Sequence, residues 1–431
     1  MTEEMPCCHH SVAHATRSYF NRIGNLFCQE PYRVFFPLGI LAGAIGASHW
    51  LFYALGWISH YSGLFHSSVQ TKSYMFCFVI GFLLTAMPRF SGTQHATALE
   101  LSSFLFVVLA NIFLLLIGKW IGSELCFSIL LILLARFAFV RFVKKEGNVK
   151  PPTEFAWIPV AVLHGLIGSA LILLSHFQVG PIWLGKAGKA MSEQGFLLSI
   201  VVGVGGFLTP RLTGLFTLIK PSEIRTMSSE QTYRKERIQF HFLMGFILFV
   251  SFWLEGLSQM RAAYAIRAIV VTVELFLSKS LPRPPLVSTF FAWLLWISMW
   301  MVFAGSWAVV FLMNQRVALL HIVFIGGYAL MTFAVGTMVT LSHGGEAARL
   351  QKPLWILWVV AIGIFFALTF RIASSFSAPH HFQLLGVAAS CWLVVGFSWL
   401  CFVAPRIGRI PHEGEFERQH EEMKQRLQHP C

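Results

Sequence analysis

Histidine is the ionisable residue that recurs inside the apolar runs of this 431-residue chain. His49, His164, His176, His241, His321, His343, His380 and His381 all fall in or at the ends of such runs. An ionisable side chain in a bilayer is costly, faces the interior of the bundle and marks function by default. Neutral imidazole is a common ligand of haem iron and copper, so the chemistry these positions offer is metal or haem ligation. The structural alternative is a single interhelical hydrogen bond for each ring. His321 opens and His343 closes one run, 22 residues apart; at 1.5 Å per residue they are about 33 Å apart and cannot share an ion. His49, His176, His321 and one of His380 or His381 can meet in the outer half of the membrane. Adjacent residues diverge by about 100° on a helix, so only one of the last two faces inward. Arg267 and Glu274, seven apart and hence on one helical face, form an intramembrane polar set in which each needs a partner. Cys7-Cys8-His9-His10 offers soft ligands without the C-x-x-C spacing of a strong site.

The elements that must carry these residues are transmembrane helices. The chain is 56% hydrophobic and 12% charged, against about 45–50% and roughly 25% in soluble domains. Apolar runs predict spans at 34–56, 73–89, 98–118, 121–141, 155–177, 191–216, 238–258, 262–281, 287–313, 317–341, 353–374 and 380–404, an all-α polytopic bundle of about twelve helices in a lipid bilayer. Residues 1–30 and 406–431 are then tails flanking a transmembrane domain at 31–405. Lys and Arg collect in alternate connections: Lys144, Lys145, Lys150, Lys220, Arg225, Arg234, Lys235, Arg237, Lys279, Arg283, Arg349, Lys352 and the C-terminal tail lie on one side. The other side holds the thinner set Lys72, Lys119, Lys186, Lys189, Arg261, Arg316 and Arg371. That bias places both termini in the cytoplasm and accounts for the net charge of +13 without nucleic acid. Residues 1–30 lack the apolar core of a cleavable signal peptide, and cysteines in cytoplasmic tails are expected to be reduced.

A repeat links the second and sixth spans, which contain Gly81-Phe82-Leu83 and Gly206-Phe207-Leu208 and close with Pro88-Arg89-Phe90-Ser91-Gly92 and Pro210-Arg211-Leu212-Thr213-Gly214. The tenth closes at the same side with Leu341-Ser342-His343-Gly344-Gly345. Spans two, six and ten are four apart, which suggests three four-helix units.

Several of these segments resemble the NnrS family, membrane proteins described as containing haem and copper and linked to nitric oxide metabolism. Pro31-Tyr32-Arg33-Val34-Phe35-Phe36 is similar to the family's opening P-F/Y-R-x-F-F. Gly81-Phe82-Leu83-Leu84-Thr85-Ala86-Met87-Pro88 resembles its G-F-L-L-T-A-x-P, and Gly205-Gly206-Phe207-Leu208-Thr209-Pro210-Arg211-Leu212-Thr213 its G-G-R-x-x-P-x-F-T. The run from His321 through Gly327 and Gly336 to Gly345 resembles H-A-x-x-x-G followed by L-G-H-x-G-R. Together these segments cover most of 31–345, in order. Two departures stand out. The family's H-x-H-E-M stretch reads His66-Ser67-Ser68-Val69 here, leaving His66 alone, and Phe207 stands where Arg is usual. The resemblance implies a haem, and copper with it, in a bacterial inner-membrane protein acting in the nitric oxide response or in protection from iron–nitrosyl species. His321 and His343 match the family's positions and His66 is a surviving member; with the residue reading above, the expected cofactor ligands are His321 first, then His343, His66 and His49, with His176, His380 and His381 as further candidate metal ligands beside His321. By analogy, three four-helix units resemble the main subunit of haem–copper oxidases, although the sixth span offers Glu193 and Gln194 and no histidine. Two other function classes fit the same sequence: a secondary transporter of a small polar or anionic substrate using Arg267 and Glu274, and a cofactor-free membrane scaffold or assembly factor.

Overall fold

The computed structural model describes residues 22–144, 151–215, 227–277 and 281–409. The Cys7–His10 run, most of both tails, and Lys145, Lys150, Lys220, Arg225 and Lys279 lie outside them. Among the described residues the chain is helical throughout, without strands. Eleven helices are long and apolar enough to cross a membrane. They are α1 (Tyr32–Ala54), α2 (Gly63–Ser91), α3 (Ala98–Leu116), α4 (Trp120–Val143), α5 (Thr153–His176), α6 (Trp183–Leu212) and α7 (Met227–Gly256), then α9 (Phe290–Phe311), α10 (Met313–His343), α11 (Trp355–Ala373) and α12 (Ala378–Ile407). The helix expected at 262–281 forms as α8, Met260–Leu277, but carries Arg261, Arg267 and Glu274 within 18 residues and so falls short of the other eleven in apolar character. Large apolar side chains face outward, among them Phe106 at 74% exposure and Phe139 at 68%. Outside a bilayer such surface would drive aggregation. This is a multi-pass membrane protein.

Consecutive helices pack as neighbours from α3 to α12, and α12 returns against α1, which also packs on α2. The end of the bundle where α1 begins is called proximal here, the opposite end distal. In α2 and α6, 78% of the most apolar stretch is buried, and in α10 56%, against 28% in α3 and α11. The second, sixth and tenth helices are therefore the inner ones. They are also longer than the apolar runs suggest: α2 has 29 residues and α6 has 30, because polar turns at their distal ends continue the helix instead of forming loops. Lys72, Lys186 and Lys189, expected in outside connections, lie within these helices.

Each inner helix contains π-helical turns, at Gln70–Met75 in α2, Met191–Gly195 and Val201–Gly205 in α6, and Ile322–Ala329 in α10. A π turn adds a residue to the helical repeat and rotates the rest of the helix beyond it; such turns are rare and gather at functional sites. At its distal end α2 is capped by the Ser62 side chain, which accepts from Phe65 N. At its proximal end it stops at Gly92, whose φ of 67° suits glycine.

Close backbone approach ties α5 to α6. A Cβ on Gly168 would lie 2.6 Å from Ser192 N and 2.7 Å from Gly188 O. Both are main-chain atoms that cannot swing aside, as small-residue helix crossings in membranes require. Gly168→Ala is expected to cost about 1–3 kcal/mol by overpacking, read as a lower midpoint in thermal unfolding of the detergent-solubilised protein. An unchanged midpoint would mean that the α5–α6 crossing is not tight.

Candidate functional site

Two histidines from the inner helices meet at the distal end. His66 lies in the first turn of α2, placed by the Ser62 cap and by a hydrogen bond in which Ser62 N donates to His49 Nε2 at 2.7 Å. Its Nδ1 donates to Gly46 O of α1 at 2.9 Å, and one turn on Gln70 Nε2 donates to Gly43 O, also at 2.9 Å. The glycines of α1 admit this approach: a Cβ on Gly46 would come within 3.0 Å of the Gln70 amide. His321 sits in α10 immediately before its π turn, and its Nδ1 donates to Val317 O at 2.7 Å. The His66 and His321 rings are nearly parallel, 17° between planes, with centroids 6.5 Å apart.

In both rings Nδ1 carries the proton, so in the neutral imidazole Nε2 holds the lone pair. A backbone carbonyl on Nδ1 is the partner that orients a ligating histidine and raises its basicity. Trp50 flanks His66, centroids 5.6 Å apart, and Phe324 flanks His321 at 6.2 Å. Arg371 completes the group: its Nε donates to His321 Nε2 at 3.4 Å, and its Nη1 donates to the Ser374 and Ser375 hydroxyls at 3.2 and 3.4 Å. Among the described residues no carboxylate pairs with it. The site thus offers the Nε2 lone pair of His66, a His321 Nε2 that accepts from Arg371, aromatic walls and a cation without a carboxylate, which suits a metal-centred ligand bearing acidic groups.

The other sequence-predicted residues are dispersed. His49 is at the same end, but its Nε2 is taken by Ser62 N, so it fastens the α1–α2 connection. His343 is at the proximal end, where Arg89 Nη1 donates to its Nε2 at 2.5 Å and its Nδ1 lies 3.1 Å from Glu30 Oε1. In this arrangement its lone pair is engaged. His176 is exposed at the distal end of α5 and stacks edge-on against Phe177. His380 is exposed with Nδ1 3.3 Å from Ser377 Oγ, and His381 Nδ1 donates to Ser374 O at 2.8 Å. His164 and His241 are buried, each with Nε2 lacking a hydrogen-bond partner. No group of three or more His, Cys, Asp or Glu side chains among the described residues is placed to hold a metal ion.

Arg267 and Glu274 each find an interhelical partner. Arg267 Nη2 lies 2.5 Å from Glu255 Oε2 of α7, its Nη1 donates to Gln194 Oε1 of α6 at 3.1 Å, and its guanidinium covers Phe252 at 4.0 Å. Glu274 meets His241 Nδ1 at 3.0 Å. Arg267 and Glu274 are thereby matched by Glu255 and His241 of α7, with Gln194 of α6 as a further acceptor. A further polar set beside the histidine pair is one that the sequence does not single out. Lys72 pairs with Glu124 of α4, Ser169 Oγ donates to Glu124 Oε1 at 2.6 Å, and Ser67 Oγ donates to Glu193 Oε1 at 2.9 Å. Glu124, an acid inside the apolar run from Trp120, is the signal that could have found it.

Fold and site define a class: a multi-pass helical membrane protein whose inner helices present a pair of Nδ1-anchored histidines at one end, with Arg371 beside them. The chain belongs to the NnrS family, since the family model described as NnrS protein matches residues 26–410. No curated protein matches it.

Proposed function

We propose that the chain is a haem-binding inner-membrane protein of the nitric oxide response, with His66 and His321 as the haem ligands. The observation that carries this reading is the paired, Nδ1-anchored rings. Each ring is fixed through Nδ1 to a backbone carbonyl, so the Nε2 atoms of His66 and His321 would be the ones to hold the iron. Arg371, which has His321 and two hydroxyls as partners and no carboxylate among the described residues, is the cation for a propionate. When bound, a ferrous haem would supply an iron that takes nitric oxide, and pocket polarity would decide between holding the gas and reducing it. The ligand least constrained by its neighbours is His321, whose Nδ1 anchor is a carbonyl of its own helix, whereas His66 is tied across to α1. The proposal covers haem; the described residues group no three ligands for copper.

In this reading α8, with Arg267 and Glu274 matched, is the twelfth crossing, and both termini are cytoplasmic, as the Lys and Arg bias requires. The histidine pair then faces the periplasmic side. The inner position of α2, α6 and α10 and their shared π turns support three four-helix units.

The test is an optical spectrum of protein purified with haem supplied during expression, reduced with dithionite, with and without nitric oxide. A Soret band that shifts with nitric oxide is expected. His66→Ala and His321→Ala should each lose most of the bound haem, and His343→Ala should keep it. Reproducibly colourless protein, or haem retained in both distal variants, would overturn the assignment.

A further inference from the structure

Between the inner helices, below the histidine pair, lies a cavity of about 80 Å³. Its walls include Phe36 of α1, Phe78 and Leu83 of α2, Val201 of α6, and Met331 and Val335 of α10. Gly205 and Gly336 also border it. It begins beside three of the four π turns, at Met75, at Val201–Gly205 and at Tyr328.

The lining decides the occupant. The hydroxyls bordering the cavity are those of Thr332 and Tyr328. Thr332 Oγ1 is already engaged, donating to Ala329 O at 2.8 Å and meeting Tyr74 Oη at 3.1 Å. A buried water needs about 2–4 polar partners, and apolar cavities of this kind stay dry and take xenon or benzene. The molecule that fits is small, uncharged and poorly hydrated. Such molecules leave water for apolar surroundings, so a membrane interior is where they concentrate.

We propose that this cavity is a holding site for a diatomic gas within the bilayer. An aromatic series joins it to the histidine pair: Tyr328 on its wall packs on Phe324, centroids 5.6 Å apart, and Phe324 packs on His321 at 6.2 Å. The role as a supply point for the distal site rests on the haem reading; the gas site itself does not.

The experiment is xenon pressurisation of crystals of the full-length protein, with the anomalous signal locating the gas. A xenon peak bounded by Leu83, Val201 and Val335 is expected, and its loss in Val335→Phe, or in Val201→Phe should that variant fail to fold. No peak there while other sites fill, or an acyl chain in the space, would overturn the proposal. Because xenon needs no haem, a colourless protein that takes xenon would sink the haem assignment alone.

Discussion

Glu124→Ala is expected to cost about 3–5 kcal/mol, the range for removing one partner of a buried ion pair. Lys72 is 3% exposed and Glu124 6%, and each is the other's counter-charge across α2 and α4. The surroundings are apolar on one side, where Lys72 Nζ lies 5.6 Å from the Phe127 ring centre. On the other they are held by Asn111, whose Nδ2 donates to Lys72 O and Ser73 Oγ at 3.2 and 3.1 Å. Deleting the carboxylate leaves an ammonium with no counter-ion of comparable contact, and the lost acceptor for Ser169 adds to the penalty. Replacing both partners with apolar residues removes the two desolvation costs together. Lys72→Met with Glu124→Leu should therefore recover most of what the single change loses. Thermal unfolding of the detergent-solubilised protein measures all three. A double variant no more stable than Glu124→Ala would show that the pair is a net stabiliser through its geometry, contrary to this account.

That pair also marks where the sequence was legible and where it was not. The helices were readable because each crossing needs a long apolar run, and only backbone satisfaction within the helix permits it. Their distal ends were less so. Lys72 reads as a loop residue since a lone lysine before an apolar run is indistinguishable from a membrane-flanking one; only Glu124 on another helix makes its burial tolerable. The same holds for Arg267, whose partner Glu255 lies across the α7–α8 turn while Glu274, on its own face, goes to His241.

For the site, His66 and His321 were each recognisable as residue types out of place in lipid. Their meeting was not, because they are 255 positions apart in the chain and periodicity says nothing of which faces oppose. The π turns were equally silent: the residues at Gln70–Met75 and Ile322–Ala329 would suit an α-helix. Yet those turns begin one turn after His66 and directly after His321, and set the rotation of each ring relative to the rest of its helix. The lone pair on His343, by contrast, could have been doubted from the start. Arg89 closes α2 and Arg33 opens α1 at the same proximal end, and a guanidinium there needs an acceptor.

Glu30→Gln is the second large effect expected, with a pH signature that separates it from a packing defect. Glu30 is 1% exposed at the proximal end, ahead of α1. Arg33 Nε donates to its Oε2 at 2.5 Å, Arg89 Nη2 donates to its Oε1 at 3.2 Å, and His343 Nδ1 lies 3.1 Å away. Arg33 in turn donates to the Arg406 and Ile407 carbonyls at 2.6 and 2.9 Å, so the carboxylate anchors α1, α2, α10 and the end of α12 at one point. Burial alone would raise its pKa; contact with His343 and the Arg33 and Arg89 guanidiniums outweighs burial and holds it at about 2, below the ordinary 4.5. A carboxylate depressed in the folded state stabilises fully above its unfolded pKa and loses that contribution as pH falls toward the folded one. The window is therefore from about 4.5 down to about 2, and the contribution is about 3 kcal/mol. At neutral pH Glu30→Gln should be destabilised by at least that much, since Arg89 and Arg33 lose their shared anion. As pH drops through the window, wild type should lose stability faster than the variant and the two should converge. Thermal midpoints of both proteins at neutral pH and at about pH 3 decide it. A gap that stays constant would mean that the amide disturbs packing at the proximal end and that the charge on Glu30 contributes nothing.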